Sequence, residues 1–203
     1  MLLPWKGQPV FLRAAQLILE RRRDARAIIH RRPTPRREAY AGELQDLARE
    51  LGIDDHVIFT GFRSDLARLL PGLDVVDHPS VESEPFSCVI VEAMAMKCPV
   101  VASAAGGPLE LIEDRRSGLL VPPGDHEALA ARVIELLDNS KLAAPIAEHG
   151  YRKADSRFSA ETHTHLVQQV YDQALESLEP EVAADPVADG VAAEATRQGA
   201  GGE

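Results

Sequence analysis

A chain of 203 residues with 45% apolar content can bury one sizeable core, while two cysteines and no apolar run of membrane length exclude a disulfide scaffold and a spanning helix. The net charge of −10 excludes nonspecific nucleic-acid binding as the main activity, because such binding rests on clustered Lys and Arg neutralising phosphates. The opening `MLLPWKGQPVF` lacks the parts of a signal peptide, which predicts a cytoplasmic chain.

From Gln8 to Arg23, Val10, Phe11, Ala14, Leu17 and Ile18 recur at helical spacing, and `ARAIIH` then reads as a buried strand. Tyr40, Leu44, Leu47 and Leu51 predict a second helix ended by Gly52, followed by the strand `HVIFTG`. The segments `DLARLL`, `LDVVDHP`, `SCVIVEAMAM`, `CPVVAS`, `PLELIE` and `GLLVP` continue the alternation, helix then strand, with turn residues at most junctions. Regular alternation with apolar strands predicts an α/β fold, a doubly wound parallel sheet covered on both faces. After Pro123 the chain reads as helical in three segments: `DHEALAARVIELLDN`, 141–153, and 159 to about 178. Asp125 and Ser159 are the expected N-caps. The domain is expected over 1–178, with 179–203, rich in Ala, Gly, Pro and acids, as a disordered acidic tail.

In `EPFSCVIVEAMAM`, Glu92 stands alone among Val89, Ile90, Val91, Ala93 and Met94, where burial without a partner would be costly. Open parallel sheets bind ligands beyond the carboxyl ends of their strands, where loops feed helix N-termini. Here the strand `DVVDHP` leads through `SVESEPF` into a helix starting near Ser87, whose free amides suit a phosphate. Glu92, about five residues in and roughly 7 Å along the axis, can accept hydrogen bonds from neutral hydroxyls beside that phosphate. A sugar nucleotide fits this spacing. The competing reading makes Glu92 half of a structural ion pair with His78 or an arginine. Gly106, Gly107 and Pro108 read equally as a tight turn and as a substrate contact, and His163 and His165 as surface residues. Cys88 and Cys98, in apolar segments without ligand spacing, are expected as buried thiols.

The ordered set `PWKGQ`, `HVIFTGF`, `LDVVDHPS`, the Glu84 and Glu92 pair, `PVVASAAGGPLELIED`, `SGLLVPPGD` and `RFS` resembles the family 4 retaining glycosyltransferases with the GT-B arrangement of two facing Rossmann-like domains. The resemblance covers residues 5 to about 175 and implies the C-terminal, donor-binding half of such an enzyme. It implies a transfer, hexosyltransferase-like, of a sugar from a nucleotide-diphosphate sugar to an acceptor hydroxyl with retention. It makes Glu84 the catalytic carboxylate beside the donor sugar and Glu92 the ribose ligand. Lys6 would neutralise the diphosphate, Phe86, Ser87 and Cys88 would offer backbone amides to it, and Phe62 and Arg63 would lie along the base. The implied partners are the nucleotide-diphosphate sugar and a glycan, lipid or small-molecule acceptor, with peripheral membrane contact left to the N-terminal half; no nucleic acid, no cofactor and no metal are expected. A non-catalytic sugar-nucleotide-binding fragment and a GT-B sugar-nucleotide epimerase are the alternatives.

The sequence departs from that family in several places, Ser87 among them, where its members commonly carry Gly. Its members carry a strand before the `LLPWKG` segment; the chain is read as N-terminally truncated, with its first strand missing. That strand is central in the order 3-2-1-4-5-6, so its absence predicts a gap with unpaired backbone groups. The Arg-rich `HRRPTPRR`, 30–37, replaces a Gly-rich turn and reads either as a basic loop or as an out-of-frame stretch. Lys97 stands where a left-handed helix cap favours Gly.

Overall fold

A computed structural model describes residues 3–30 and 38–182; most of the Arg-rich segment and the residues after 182 lie outside that description. The apolar spacing of the first helix is realised in α1 (Gln8–Arg21), which buries Leu12, Ala14, Ala15 and Ile18. Strand β1 (Ala27–Ile29), helix α2 (Glu38–Glu50) and strand β2 (Val57–Phe59) follow, with Gly52 at φ 68° turning the chain out of α2. Next come α3 (Leu66–Leu69), β3 (Val76–His78), α4 (Cys88–Ala95), β4 (Val100–Ser103), α5 (Pro108–Leu111) and β5 (Leu119–Val121). Helices α6 (His126–Asp138), α7 (Ser140–Phe158) and α8 (Ala160–Val182) follow. Every expected strand is present, and all pairings are parallel.

The sheet is split. Among the described residues β1 pairs only with β2, while β3, β4 and β5 form a second sheet in that order. The break falls between β1 and β3, where the order 3-2-1-4-5-6 would place its central strand. Helix α1 packs on both sides of the break: Leu12 and Ala15 join a core with Ile29, Leu44 and Val57, and Ala14 and Ile18 join another with Val101, Leu119 and Leu129. A third core, on the other face of the larger sheet, gathers Val76, Val100 and Ala102 with Ile90, Ala93 and Met94 of α4 and Ala154 of α7.

Alternation along β4 explains why Val100, Val101 and Ala102 are all apolar. Val100 and Ala102 face one core, Val101 faces the other, and all are buried. The smaller sheet differs from the expected two-sided cover, because Ile28 and Ile58, partners in register, are 39% and 47% exposed. Helices α1 and α2 pack on its other face alone, through Ile29 and Val57.

Local signals at helix ends are realised as well. The Asp125 carboxylate accepts from the Ala128 amide at 2.8 Å, capping α6. Lys97 adopts φ 56° after α4, a conformation that strains a side-chain-bearing residue. Its ammonium meets Glu148 Oε2 at 2.9 Å and lies 4.5 Å from the Tyr151 ring centre, contacts that offset the strain. Helix α8 continues to Val182, so the expected boundary at 178 falls inside it. The chain divides into two units, Met1–Ser159 and the part from Ala160 on.

Candidate functional site

The loop after β3 holds a buried polar cluster around Glu84. Glu84, only 4% exposed, receives three donors on one oxygen, Oε1: Lys6 Nζ at 2.5 Å, His78 Nε2 at 3.0 Å, and the Ser80 hydroxyl. His78 and Ser80 are themselves buried, while the Lys6 side chain is partly open and lies over the Trp5 ring at 4.5 Å. Burial raises the cost of charge on Glu84, but the bonds from Lys6 and Ser80 and the nearness of His78 prevail, so its carboxyl is held below the usual carboxylate range. Burial likewise pushes the His78 imidazole below its ordinary value, against the pull of Glu84 and with the push of Lys6.

Glycines bring these segments together. Lys6 ends a short 3-10 turn, Pro4–Lys6, and Gly7 follows at φ 71°; a Cβ there would lie 1.8 Å from the Pro79 carbonyl oxygen. The Val81 amide donates to the Trp5 carbonyl at 2.8 Å, fastening the two segments side by side. On the other flank Gly106, at φ 67°, forms a parallel bridge with Glu84, and the Gly107 amide donates to the Glu84 carbonyl at 2.6 Å. A Cβ on Gly106 would meet the Glu84 carbonyl oxygen at 2.4 Å. Gly106 and Gly107 therefore make a tight turn that seats the Glu84 loop, and Pro108 follows as the first residue of α5.

Helix α4 starts four residues after Glu84, and its first amides have no partner within the helix. Ser87 is its N-cap, buried, with extended dihedrals and no side-chain capping bond. Phe86 is 48% exposed and meets Phe158 edge to face, with ring centres 5.8 Å apart. Ile90, Ala93 and Met94 face the core, whereas Cys88, Glu92, Ala95 and Met96 form the exposed stripe.

Two expectations are thereby corrected. The competing ion-pair reading of Glu92 does not hold: it is exposed, one turn from Cys88 on the outward face, and forms no ion pair among the described residues, while His78 Nε2 faces Glu84. Cys88 is exposed for the same reason, while Cys98 is buried and its thiol pushed up to about 12 by burial.

Phe62 and Arg63 stand on the loop leaving β2, beyond Gly61 at φ 68°. Phe62 is 54% exposed, and Arg63 makes a two-pronged pair with Asp65, Nε to Oδ1 at 2.8 Å and Nη2 to Oδ2 at 2.6 Å. Neither touches the Glu84 cluster, which belongs to the other sheet. The structure thus unites Lys6 and Glu84, places Phe86, Ser87, Cys88 and Glu92 on the adjoining helix start, and leaves Phe62 and Arg63 apart. His78 and Ser80 escaped the sequence reading as members of the cluster. Their signal was present: two polar residues closing an apolar strand in `LDVVDHPS`. Among the described residues, no group of three or more His, Cys, Asp and Glu side chains is arranged to hold a metal ion. No described helix is long and apolar enough to cross a membrane.

The family model for glycosyl transferases group 1 matches residues 1–139. The chain belongs to the group 1 glycosyl transferases. Among curated members, D-inositol 3-phosphate glycosyltransferase of Corynebacterium kroppenstedtii is 35% identical over 174 residues, 84% of this chain and 38% of that protein. The crystal structure of Anabaena Alr3699/HepE in complex with UDP and glucose is 33% identical with a TM-score of 0.79, covering 84% of this chain and 46% of that one. The C-terminal domain of the group 1 family protein LpcC from Francisella tularensis is 31% identical with a TM-score of 0.72, covering 78% of this chain and 83% of that one. The chain thus spans less than half of the D-inositol 3-phosphate glycosyltransferase and of Alr3699/HepE, and most of the isolated LpcC C-terminal domain. Its fold is the parallel, Rossmann-like sheet of GT-B glycosyltransferase C-terminal domains, with a helical C-terminal end.

Proposed function

We propose that this chain, over 1–178, is the donor-binding half of a family 4 retaining glycosyltransferase, N-terminally truncated, which transfers a hexose from a nucleotide-diphosphate sugar to an acceptor hydroxyl. The observation that carries the reading is the contrast between two carboxylates eight residues apart. Glu84 is buried and held by three donors, whereas Glu92 is exposed, unpaired with any cation among the described residues, and one turn from the open amides of α4. A solvated carboxylate next to a helix N-terminus is placed to accept hydroxyl hydrogen bonds while the amides take phosphate.

In this reading Glu92 binds the ribose, the amides around Phe86, Ser87 and Cys88 take the diphosphate, and Phe62 and Arg63 border the base. Lys6 lies at the boundary between the carboxylate and the phosphates. As the glycosidic bond breaks, negative charge grows on the departing nucleoside diphosphate, and the ammonium and helix terminus stabilise it. Glu84 stands beside the transferred sugar. The solved structures of Alr3699/HepE with UDP and with UDP-glucose make uridine nucleotides the first class to test. Because the chain covers 38% of its curated relative, a sugar-nucleotide-binding fragment without catalysis of its own is the second reading.

Calorimetric titration with UDP, GDP, ADP and UDP-glucose, on wild type and Glu92→Gln, tests the proposal. Losing a charged acceptor is expected to weaken nucleotide binding by about 1.5 to 3 kcal/mol, or roughly tenfold to a hundredfold. Equal affinity in the two proteins, or no binding of any nucleotide by wild type, would remove it.

A further inference from the structure

We infer that His78 and Ser80 are positioning residues that fix the Glu84 carboxylate by one oxygen, so that the other meets the donor sugar; the role toward the sugar rests on the donor-binding reading above. A carboxylate has two oxygens and about four acceptor directions. Lys6, His78 and Ser80 all converge on Oε1, and Oε2 accepts from none of the three. They come from different places: a turn before α1, the last residue of β3, and the loop that follows. Three bonds to one atom hold the carboxyl group against rotation and shift. One alone would leave it free to swing.

His78 is an unusual occupant for its position. It is buried at the end of an apolar strand, and its Nδ1 is closed off from solvent with no partner. A buried unpartnered ring nitrogen carries a desolvation cost that Leu at the same position would avoid. What imidazole supplies in return is the N–H at Nε2, 3.0 Å from Glu84 Oε1. With its proton on Nε2 the neutral ring donates toward that oxygen, and the Ser80 hydroxyl lies 3.5 Å from the same nitrogen. Burial keeps the ring from charging. The titratable groups facing the ring are Glu84 and Lys6.

Neutral donors have a specific use beside a lysine. Lys6 is the flexible and partly open member of the cluster, and the proposed chemistry draws its ammonium toward a diphosphate. His78 and Ser80 bring no net charge and have no anion to follow. They keep Glu84 in place when Lys6 shifts, so the carboxylate stays ionised and aimed while its counter-charge is shared with the leaving group.

The test has two arms on the full chain. In the first, the Glu84 carboxyl is titrated by carbon NMR in wild type, His78→Leu, His78→Gln and Ser80→Ala. An upward shift of the Glu84 midpoint is expected in His78→Leu and Ser80→Ala, and a return toward wild type in His78→Gln, whose amide N–H reaches the place of Nε2. In the second, UDP and UDP-glucose are titrated into the same proteins. His78→Leu is expected to lose about tenfold in UDP-glucose affinity with UDP affinity unchanged, and His78→Gln to recover it. An unmoved Glu84 midpoint in both His78→Leu and Ser80→Ala, or Leu and Gln behaving alike, overturns the holding role. Equal losses for UDP and UDP-glucose overturn the role toward the sugar. If wild type binds neither nucleotide, the donor-binding reading and the sugar role fall together, and the NMR arm still decides whether His78 and Ser80 hold Glu84.

Discussion

Glu84→Gln and Glu92→Gln make the same chemical change eight residues apart, and the surroundings of the two side chains lead to different stability changes. At Glu84 the side chain is 5% exposed, and its charge is matched by Lys6 while His78 and Ser80 donate to the same oxygen. Removing one partner of a buried ion pair costs about 3 to 5 kcal/mol. The Lys6 side chain, 24% exposed, keeps part of its water, which places Glu84→Gln nearer about 2 to 3 kcal/mol. For a domain of this size that lowers the melting temperature by roughly 5 to 10 °C. At Glu92, exposed and without an ion pair among the described residues, the same change is expected to stay within about 0.5 kcal/mol.

The pH dependence adds a second check. Glu84 is held below the usual carboxylate range, so its contribution is present above the unfolded value and is lost as pH falls through the folded one. Urea denaturation of the three proteins, followed by circular dichroism from neutral to acid pH, reads both quantities. The gap between wild type and Glu84→Gln should be widest at neutral pH and close in acid. A constant gap, or a Glu92→Gln protein less stable than Glu84→Gln, would refute the assignment of buried and exposed carboxylates.

Gly7→Ala places a Cβ against the Pro79 carbonyl at a left-handed φ, and is expected to destabilise by about 3 kcal/mol or more and to detach Lys6 from Glu84; thermal melts and the Glu84 titration check it. Burial pushes the Asp77 carboxyl up to about 7, and its Oδ1 is closed off without a partner. A carboxyl raised in the folded state loses stability as pH climbs from its unfolded value to its folded one, so Asp77→Asn should be the more stable protein at pH 8, by up to about 4 kcal/mol, and lose that advantage toward pH 4. If the break between β1 and β3 seats a central strand, joining an extended apolar segment ahead of Leu3 should raise the melting temperature and protect β1 and β3 amides from hydrogen exchange; unchanged exchange would count against truncation.

Much of the fold was legible because it is written in local pattern. The apolar run Val100–Ala102, bounded by Pro and turn residues, reads as a strand covered on both faces and is one, whereas β1 and β2, equally apolar, leave Ile28 and Ile58 open. Asp125 before an apolar-periodic run, and a left-handed residue at Lys97, follow from cap geometry that involves a few neighbouring residues. The break between β1 and β3 was expected only through the family resemblance, which implies a central strand at that place; alternation alone does not set strand order. The two carboxylates show where local reading ends. Apolar neighbours made Glu92 look buried, but it sits on the turn-spaced stripe with Cys88 and Met96 that points outward, opposite Ile90, Ala93 and Met94. Glu84, in a polar loop, carried no sign of burial. It is buried because Gly7 and Gly106 let distant backbone close upon its loop, bringing in a lysine 78 residues away. Periodicity encodes how a side chain points from its own helix or strand, while the meeting of Lys6, His78, Ser80 and Glu84 depends on where separate segments cross, and only the packed structure decides that.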